Sequence, residues 1–382
     1  MLKVLVVFGT RPEAVKVAPV IKELEKYPDE IECKVLVTAQ HREMLDQVLQ
    51  LFNIKPDYDL NIMSQNQTLT QITCRVLEGL ESILQKEKPD LLLVQGDTTT
   101  AFAASLAAFY QKIRVGHIEA GLRTDDIYNP FPEEVNRRLI SVVGNLHFAP
   151  TTEAADNLIR DGIEGSGIFL TGNTVIDALF HILKTSGEDL PAPITGRLTP
   201  GKKYLLVETH RRENLGAPME NICRALLRLT RDFPATEVVF SVHKNPLVRE
   251  VVFKLLENQD RIVLLDPVDY PVLIKLIKKS FLVLTDSGGI QEEAPSLGKP
   301  VLVLRKTTER PEGIWAGCAK LVGTDEEEVY REAYKLLSNK SAYSKMSEVK
   351  NPYGDGKAAY RTVQAIKYFF GLNKRRPRSF AV

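Results

Sequence analysis

Cysteine is scarce and scattered in this chain. Its four cysteines, Cys33, Cys74, Cys223 and Cys318, lie far apart with no Cys-x-x-Cys pair, which excludes a disulfide-stapled scaffold and a cysteine zinc ribbon. The six histidines show no zinc-site spacing, so no metal is expected. An excess of either charge is also missing: 50 Lys and Arg against 49 Asp and Glu leave a net charge of +1. A chain without an overall field has no electrostatic pull on nucleic acid or an anionic membrane, and a small partner is expected. No segment approaches the ~20 apolar residues of a membrane span. The opening MLKVLVVFGTRPEA ends its short apolar run in Gly-Thr-Arg-Pro instead of a small-residue cleavage site, which makes the cytoplasm the expected location.

Two nucleotide signatures are lacking as well. GIFLTGNT (167–174) mimics a phosphate loop but has Asn173 where the phosphate-binding Lys belongs. No strand leads into Gly-x-Gly-x-x-Gly at a helix start, so a nicotinamide dinucleotide, and chemistry by transient oxidation, are not expected; no cofactor is. There is no internal repeat and no low-complexity tract.

What is present is an ordinary globular composition, 44% hydrophobic and 26% charged over 382 residues, enough for roughly two domains of about 150 residues each. Short apolar runs alternate with amphipathic stretches. KVLVVFG (3–9), CKVLVTAQ (33–40), DLLLVQGD (90–97) and RVGHIEAG (114–121) form a first series. KYLLVET, TEVVFSVH, RIVLLD, FLVLTD and PVLVLR form a second, after the polar, Pro-rich KTSGEDLPAPITGRLTPGKK (184–203). That rhythm predicts an α/β chain of two doubly wound, Rossmann-like domains with parallel sheets. The boundary is placed near 165–180, giving domains 1–170 and 171–357. Residues 373–382, with the basic KRRPRS, are expected to be a flexible tail.

In open α/β sheets ligands bind beyond the carboxyl ends of the strands, so the strand-end residues carry the functional reading. In FGTRPEAVK, Gly9 frees the turn, Pro12 suits a first helical position, and Arg11 and Lys16 either face an anion at the helix N-terminus or, for Lys16, remain surface charge. GDTTT places Asp97 at a turn, as helix cap or catalyst. HIEAGLRT brings His117 and Glu119 to another strand end, and Glu133 and Glu134 follow Pro132 at a helix start, where complementing the dipole suffices for one of them. Asp97, Glu119 and one of that pair are expected to converge, to raise one another's pKa as neighbouring like charges, and to suit proton transfer from carbon.

The second series ends in cations and glycines. VETHRRENLG offers His210, Arg211 and Arg212 as an anion clamp, SVHKNP offers His243, and TTERPE offers Arg310. In FLVLTDSGGIQEEAPSLGKP (281–300), Ser287, Gly288 and Gly289 present backbone N–H groups at a helix start, suited to a diphosphate, and Glu293 is placed to accept ribose hydroxyls.

Taken together, FGTRPEA, TAQHREMLDQVL, GDTTT, HIEAGLRT, FPEEVNRR, HRREN, TDSGGIQEEAPSLGKPVLVLR, TTERPE and NPYGDG closely resemble the non-hydrolysing UDP-N-acetylglucosamine 2-epimerases, from residue 3 to about 370. The resemblance implies a GT-B-like fold with the active site between the domains and a last helix, about 358–372, returning to the first domain. It implies interconversion of UDP-N-acetylglucosamine and UDP-N-acetylmannosamine without a redox cofactor, by eliminating UDP to 2-acetamidoglucal and adding it back, and a homodimer. Substrate contacts map onto Arg11, Lys16, Asp97, Glu119, His210, Ser287, Gly288, Gly289, Glu293 and Arg310, and the third catalytic acid onto Glu133, with His243 a further candidate contact. Asp97 and Glu119 are the acid and base candidates, and His210 and Arg310 stabilise the leaving diphosphate. Some bacterial members bind a second UDP-N-acetylglucosamine as activator, and Gln40, His41 and Arg211 lie in the matching region, although Glu43 stands where some activated members carry Gln. Glu208, where such proteins usually carry Thr, and Trp315, in a loop that is usually smaller, also depart from the pattern. A hydrolysing epimerase, a GT-B glycosyltransferase and a catalytically silent UDP-sugar sensor remain alternatives.

Overall fold

The two series of apolar runs form two all-parallel sheets, one in each of two compact units. A computed structural model describes residues 1–39, 42–64, 67–124 and 126–381, with the side chains of all of these but 42–44 and 212. The first unit comprises Met1–Ala178 and Tyr353–Ala381, and the second comprises Leu179–Pro352. Residues 171–178 thus belong with the first unit, tied there by the Asn173 N–H, which donates to the Tyr353 carbonyl at 2.7 Å.

The first unit contains β1 (Leu2–Phe8), β2 (Ile31–Val37), β3 (Tyr58–Asp59), β4 (Leu91–Gln95), β5 (Arg114–Ile118), β6 (Leu146–Ala149) and β7 (Ile168–Leu170), in the order β3-β2-β1-β4-β5-β6-β7. β1, β2, β4 and β5 are the strands their apolar runs predict. The others span two to four residues, too few for a periodic signal to separate them from loop. Leu5 and Val7 of β1 and Leu92 and Val94 of β4 are buried with Val76 and Leu80 of helix Leu69–Glu87 and Ala104 and Ala108 of helix Thr99–Tyr110. Each fully buried Leu or Val contributes about 1.5–3 kcal/mol. Strand order reverses between β1 and β4, and a sheet of this kind opens its ligand crevice at that point.

The returning segment completes this unit. Helix Ala358–Phe369 begins on the Asp177 carboxyl group, which accepts the Ala358 and Ala359 N–H groups at 3.1 and 2.9 Å. The basic tail, expected to be flexible, is docked. Phe380 is 5% exposed and its N–H donates to the Leu170 carbonyl at 2.9 Å. Arg376 lies over the Phe169 ring, 4.4 Å from its centroid, and donates to main-chain carbonyls. An apolar residue within the basic tail, and an arginine able to stack, supply anchors that net charge alone does not reveal.

The second unit contains β8 (Lys203–Thr209), β9 (Thr236–Val242), β10 (Ile262–Leu265), β11 (Leu282–Thr285), β12 (Val301–Val303) and β13 (Ala319–Leu321), in the order β10-β9-β8-β11-β12-β13. Its core packs Leu205, Val207, Phe240 and Leu284 with Leu226 and Leu229 of helix Ala217–Asp232. Here the order reverses between β8 and β11. Both sheets therefore match the doubly wound expectation. Among the described residues no helix is long and apolar enough to cross a membrane.

Candidate active site

In the first unit the end of β1 and the end of β4 flank the switch point, and both turns are built around one buried acid. Glu13, 1% exposed, accepts the Gly9 and Thr10 N–H groups at 3.1 and 2.7 Å and the Thr98 hydroxyl at 2.7 Å. Burial nevertheless holds its carboxyl above the usual pKa, against those hydrogen bonds. Thr98 also caps helix Thr99–Tyr110 by accepting the Ala101 N–H at 3.0 Å. A Cβ on Gly9 would stand 2.0 Å from Thr38 Oγ1, so close packing requires glycine there. Arg11, half-buried at the start of helix Arg11–Leu24, has no ion-pair partner among the described residues.

Glu119 follows β5 and is 8% exposed. Its carboxylate accepts Lys16 Nζ at 2.5 Å, Gln95 Nε2 at 2.5 Å and Asn173 Nδ2 at 2.8 Å. Its backbone is left-handed at φ 65°, a conformation that costs a non-glycine residue about 1–2 kcal/mol and persists where the surroundings over-determine it. The neighbouring strand end supplies the contact: a Cβ on Gly96 would lie 3.6 Å from Glu119 Oε2. His117, fully buried, is bonded through Nε2 to the Gly96 carbonyl at 2.7 Å, and burial pushes its pKa down to about 3. It is a neutral strut beneath the site.

Asp97 binds the helix that carries Glu133. Arg137 pairs with it at 2.7 Å, and Asn136 Nδ2 donates to its carbonyl at 2.9 Å. On that helix, Glu133–Val143, the two adjacent acids separate by role. Glu134 is fully buried and bonds the Thr124 N–H at 3.1 Å and Arg138 at 2.7 Å. Glu133 is half-buried in the first turn. Asp97 and Glu119 stand just beyond the ends of the adjacent strands β4 and β5, each beside a cation.

In the second unit, residues 287–289 form the turn expected to meet an anion. A Cβ on Gly288 would approach nothing closer than Glu309 Oε1 at 3.7 Å, and one on Gly289 nothing closer than Ser287 Oγ at 4.0 Å. Neither glycine has a positive φ. Packing and backbone geometry would both admit a side chain there; a ligand close to the main chain would not. The Ser287 N–H, expected to be open to an anion, instead turns back to Thr285 Oγ1 at 3.0 Å, because Thr285 closes β11 two residues before it. The Gly288 and Gly289 N–H groups have no hydrogen-bond acceptor among the described residues.

Arg310 hangs beside that turn, its Nη2 3.8 Å from the Gly288 Cβ position. It is paired with Glu292, which is 1% exposed. That pair explains the second acid of the motif: Glu292 orients and neutralises the arginine that flanks the anion turn. Glu293, 3% exposed, accepts the Tyr270 hydroxyl at 2.6 Å, which orients the carboxylate expected to meet the ribose. His210 follows β8, with its ring 6.1 Å from the exposed His243 ring. Of the expected clamp of His210, Arg211 and Arg212, the Arg212 side chain lies outside those described. Arg211 pairs with Glu309 at 3.1 Å and Arg305 holds the other Glu309 oxygen at 2.6 Å. Burial would raise the Glu309 carboxyl, but the charges of Arg310, Arg305 and Arg211 pull it down to about 2. Gln40 and His41, proposed above as regulatory contacts with Arg211, lie outside the described residues.

Among the described residues, one group of three or more His, Cys, Asp or Glu side chains is spaced to hold an ion: Glu208, His210 and Asp286. Asp286 already accepts the His210 N–H at 3.0 Å, the Arg211 N–H at 3.0 Å and Asn214 Nδ2 at 2.7 Å. A cation would have to displace those donors, so the group is a hydrogen-bond network and not a ligand set.

Sequence reading missed Glu13, Gln95, Arg137, Asn173 and Asp286. Arg137 was detectable, four residues from Glu133 on one helix face. Asn173 lay in a motif dismissed for lacking a lysine.

The sequence model described as UDP-N-acetylglucosamine 2-epimerase matches residues 22–367. The chain is 53% identical over 379 residues to the UDP-N-acetylglucosamine 2-epimerase of Bacillus subtilis, covering 99% of this chain and 98% of that one. The structure of S. aureus MnaA with UDP superposes with TM-score 0.91 at 48% identity, covering 100% of both chains. UDP-GlcNAc 2-epimerase from Neisseria meningitidis, solved with UDP-GlcNAc bound, superposes with TM-score 0.88 at 50% identity, covering 96% of this chain and 99% of that one. The GT-B-like class expected from sequence is the class of these neighbours.

Proposed function

The chain belongs to the UDP-N-acetylglucosamine 2-epimerase family, and from that premise we propose that it interconverts UDP-N-acetylglucosamine and UDP-N-acetylmannosamine without net hydrolysis, by eliminating UDP and adding it back. The observation that carries the reading is the pairing of Asp97 with Arg137 and of Glu119 with Lys16 at neighbouring strand ends of one unit. A second support is the pair of open glycines beside Arg310 in the other unit.

The chemistry requires both. The C2 proton of a saturated sugar is barely acidic, so its removal is coupled to loss of UDP from C1. The C2–H electrons form the C1–C2 double bond of 2-acetamidoglucal, and the C1–O electrons leave with UDP. Asp97 and Glu119 are the acid and base for this step and its reverse, with Glu133 assisting. Gly288, Gly289, Arg310 and His210 hold the diphosphate as its charge grows, and Glu293 binds the ribose.

Incubation with UDP-N-acetylglucosamine in D2O tests this by NMR and mass spectrometry. The expected result is both epimers with deuterium at C2 and only traces of free UDP. Net release of UDP with free N-acetylmannosamine would establish hydrolysis instead, transfer to an acceptor would establish a glycosyltransferase, and no turnover would leave a UDP-sugar sensor.

A further inference from the structure

Glu208, near the end of β8, stands opposite Thr285 of β11 in the parallel register. Glu208 Oε1 lies 3.1 Å from Nδ1 of His210, the residue that follows β8. Its other oxygen accepts the Thr285 hydroxyl at 3.2 Å, and Thr285 Oγ1 accepts the Ser287 N–H at 3.0 Å. One continuous chain of hydrogen bonds therefore joins the anion turn to the histidine.

The direction of that chain follows from what each group can donate. An ionised carboxylate only accepts, so the proton between Glu208 and His210 belongs to Nδ1. Asp286 Oδ1 is 3.4 Å from the same nitrogen. Nε2 is left without a hydrogen bond among the described residues, on a side chain 34% exposed. With Nδ1 protonated, a neutral ring presents a lone pair at Nε2 and repels phosphate oxygen. Only the imidazolium presents Nε2–H.

We propose that Glu208 is a positioning residue for the epimerisation: it holds the proton on His210 Nδ1 and supplies the counter-charge for an imidazolium, whose Nε2–H is donated to the phosphate oxygens that take up charge as the C1–O bond breaks. This rests on the reading of His210 as a partner of the leaving diphosphate. The charged and titratable groups facing the ring are Glu208 from β8, Asp286 after β11, Arg211 and, after β9, His243. Burial by itself depresses the His210 pKa and Arg211 opposes protonation, but the hydrogen bond and charge of Glu208 together with the charge of Asp286 hold it above the ordinary imidazole value.

The test combines NMR titration of the histidine rings with the pH profile of kcat/KM, in the parent and in Glu208→Gln; the His210→Gln spectrum assigns the signal. In Glu208→Gln the His210 titration moves down by about one pH unit or more and the alkaline limb of kcat/KM moves with it. Activity then falls about tenfold at alkaline pH while remaining near the parent's at acid pH. An unmoved His210 titration, or an equal loss of activity at every pH, overturns the proposal. If Glu208→Gln does not fold, the parent decides: His210 titrating at or below about 6.5 overturns it, and above that value supports it. A parent with no epimerase activity at any pH removes the functional reading, which is a separate failure.

Discussion

Asn173 Nδ2 donates to Glu119 Oε1 at 2.8 Å, across 54 positions of sequence. The same amide side chain accepts the Val175 N–H at 3.1 Å, so its orientation is set by the start of helix Thr174–Thr185. Asn173 thereby aims a carboxylate held on a left-handed backbone. Asn173→Ala is expected to lower kcat by about 10- to 100-fold through misplacement of Glu119, with UDP affinity unchanged. Steady-state kinetics beside calorimetric UDP binding checks this; a loss confined to UDP binding would contradict it.

Asp97→Asn and Glu119→Gln replace the proposed proton-transfer groups while keeping side-chain size. Turnover is expected to fall on the order of 10²-fold or more, with UDP affinity little changed. Deuterium incorporation at C2 in D2O reads the same step directly. Near-normal rates in both variants would refute the assignment.

Glu292 and Arg310 form a buried pair, with side chains 2% and 10% exposed. Glu292→Ala removes one partner of a buried ion pair and is expected to cost about 3–5 kcal/mol of stability. The double variant Glu292→Met, Arg310→Met is expected to be more stable than Glu292→Ala in urea unfolding, yet to bind UDP weakly. If Glu292→Ala matches the parent in stability, the pair is not the buried couple described.

Asp177 ties pH to the docking of the returning helix. Burial raises its carboxyl from 3.8 to about 7, against the hydrogen bonds from Ala359 and Ala358. The folded chain therefore holds a proton that the unfolded chain has released between those values. Its contribution to stability is full below about pH 3.8 and fades as pH rises through about 7. Asp177→Asn, which does not titrate, is expected to flatten the fall in melting temperature between pH 5 and 8. Identical slopes in calorimetric scans would place the proton elsewhere.

By itself the sequence determined the two doubly wound units, and it determined which residues stand at the carboxyl ends of the long strands. Hydrophobic period and glycine-marked turns are local signals, and Asp97, Glu119, His210 and Ser287 are legible from them. Only the tertiary structure decided how those groups are held. The cation on Glu119 comes from Lys16, 103 positions away. The amides on Asp286 come from the end of β8, 75 and 76 positions away. Asp177 meets the returning helix across 181 and 182 positions. Such partners are set by strand order and register, to which no local window of sequence is sensitive. Whether a strand-end acid is bare or ion-paired, and whether a turn N–H is open or spent, is therefore decided by the assembled sheet.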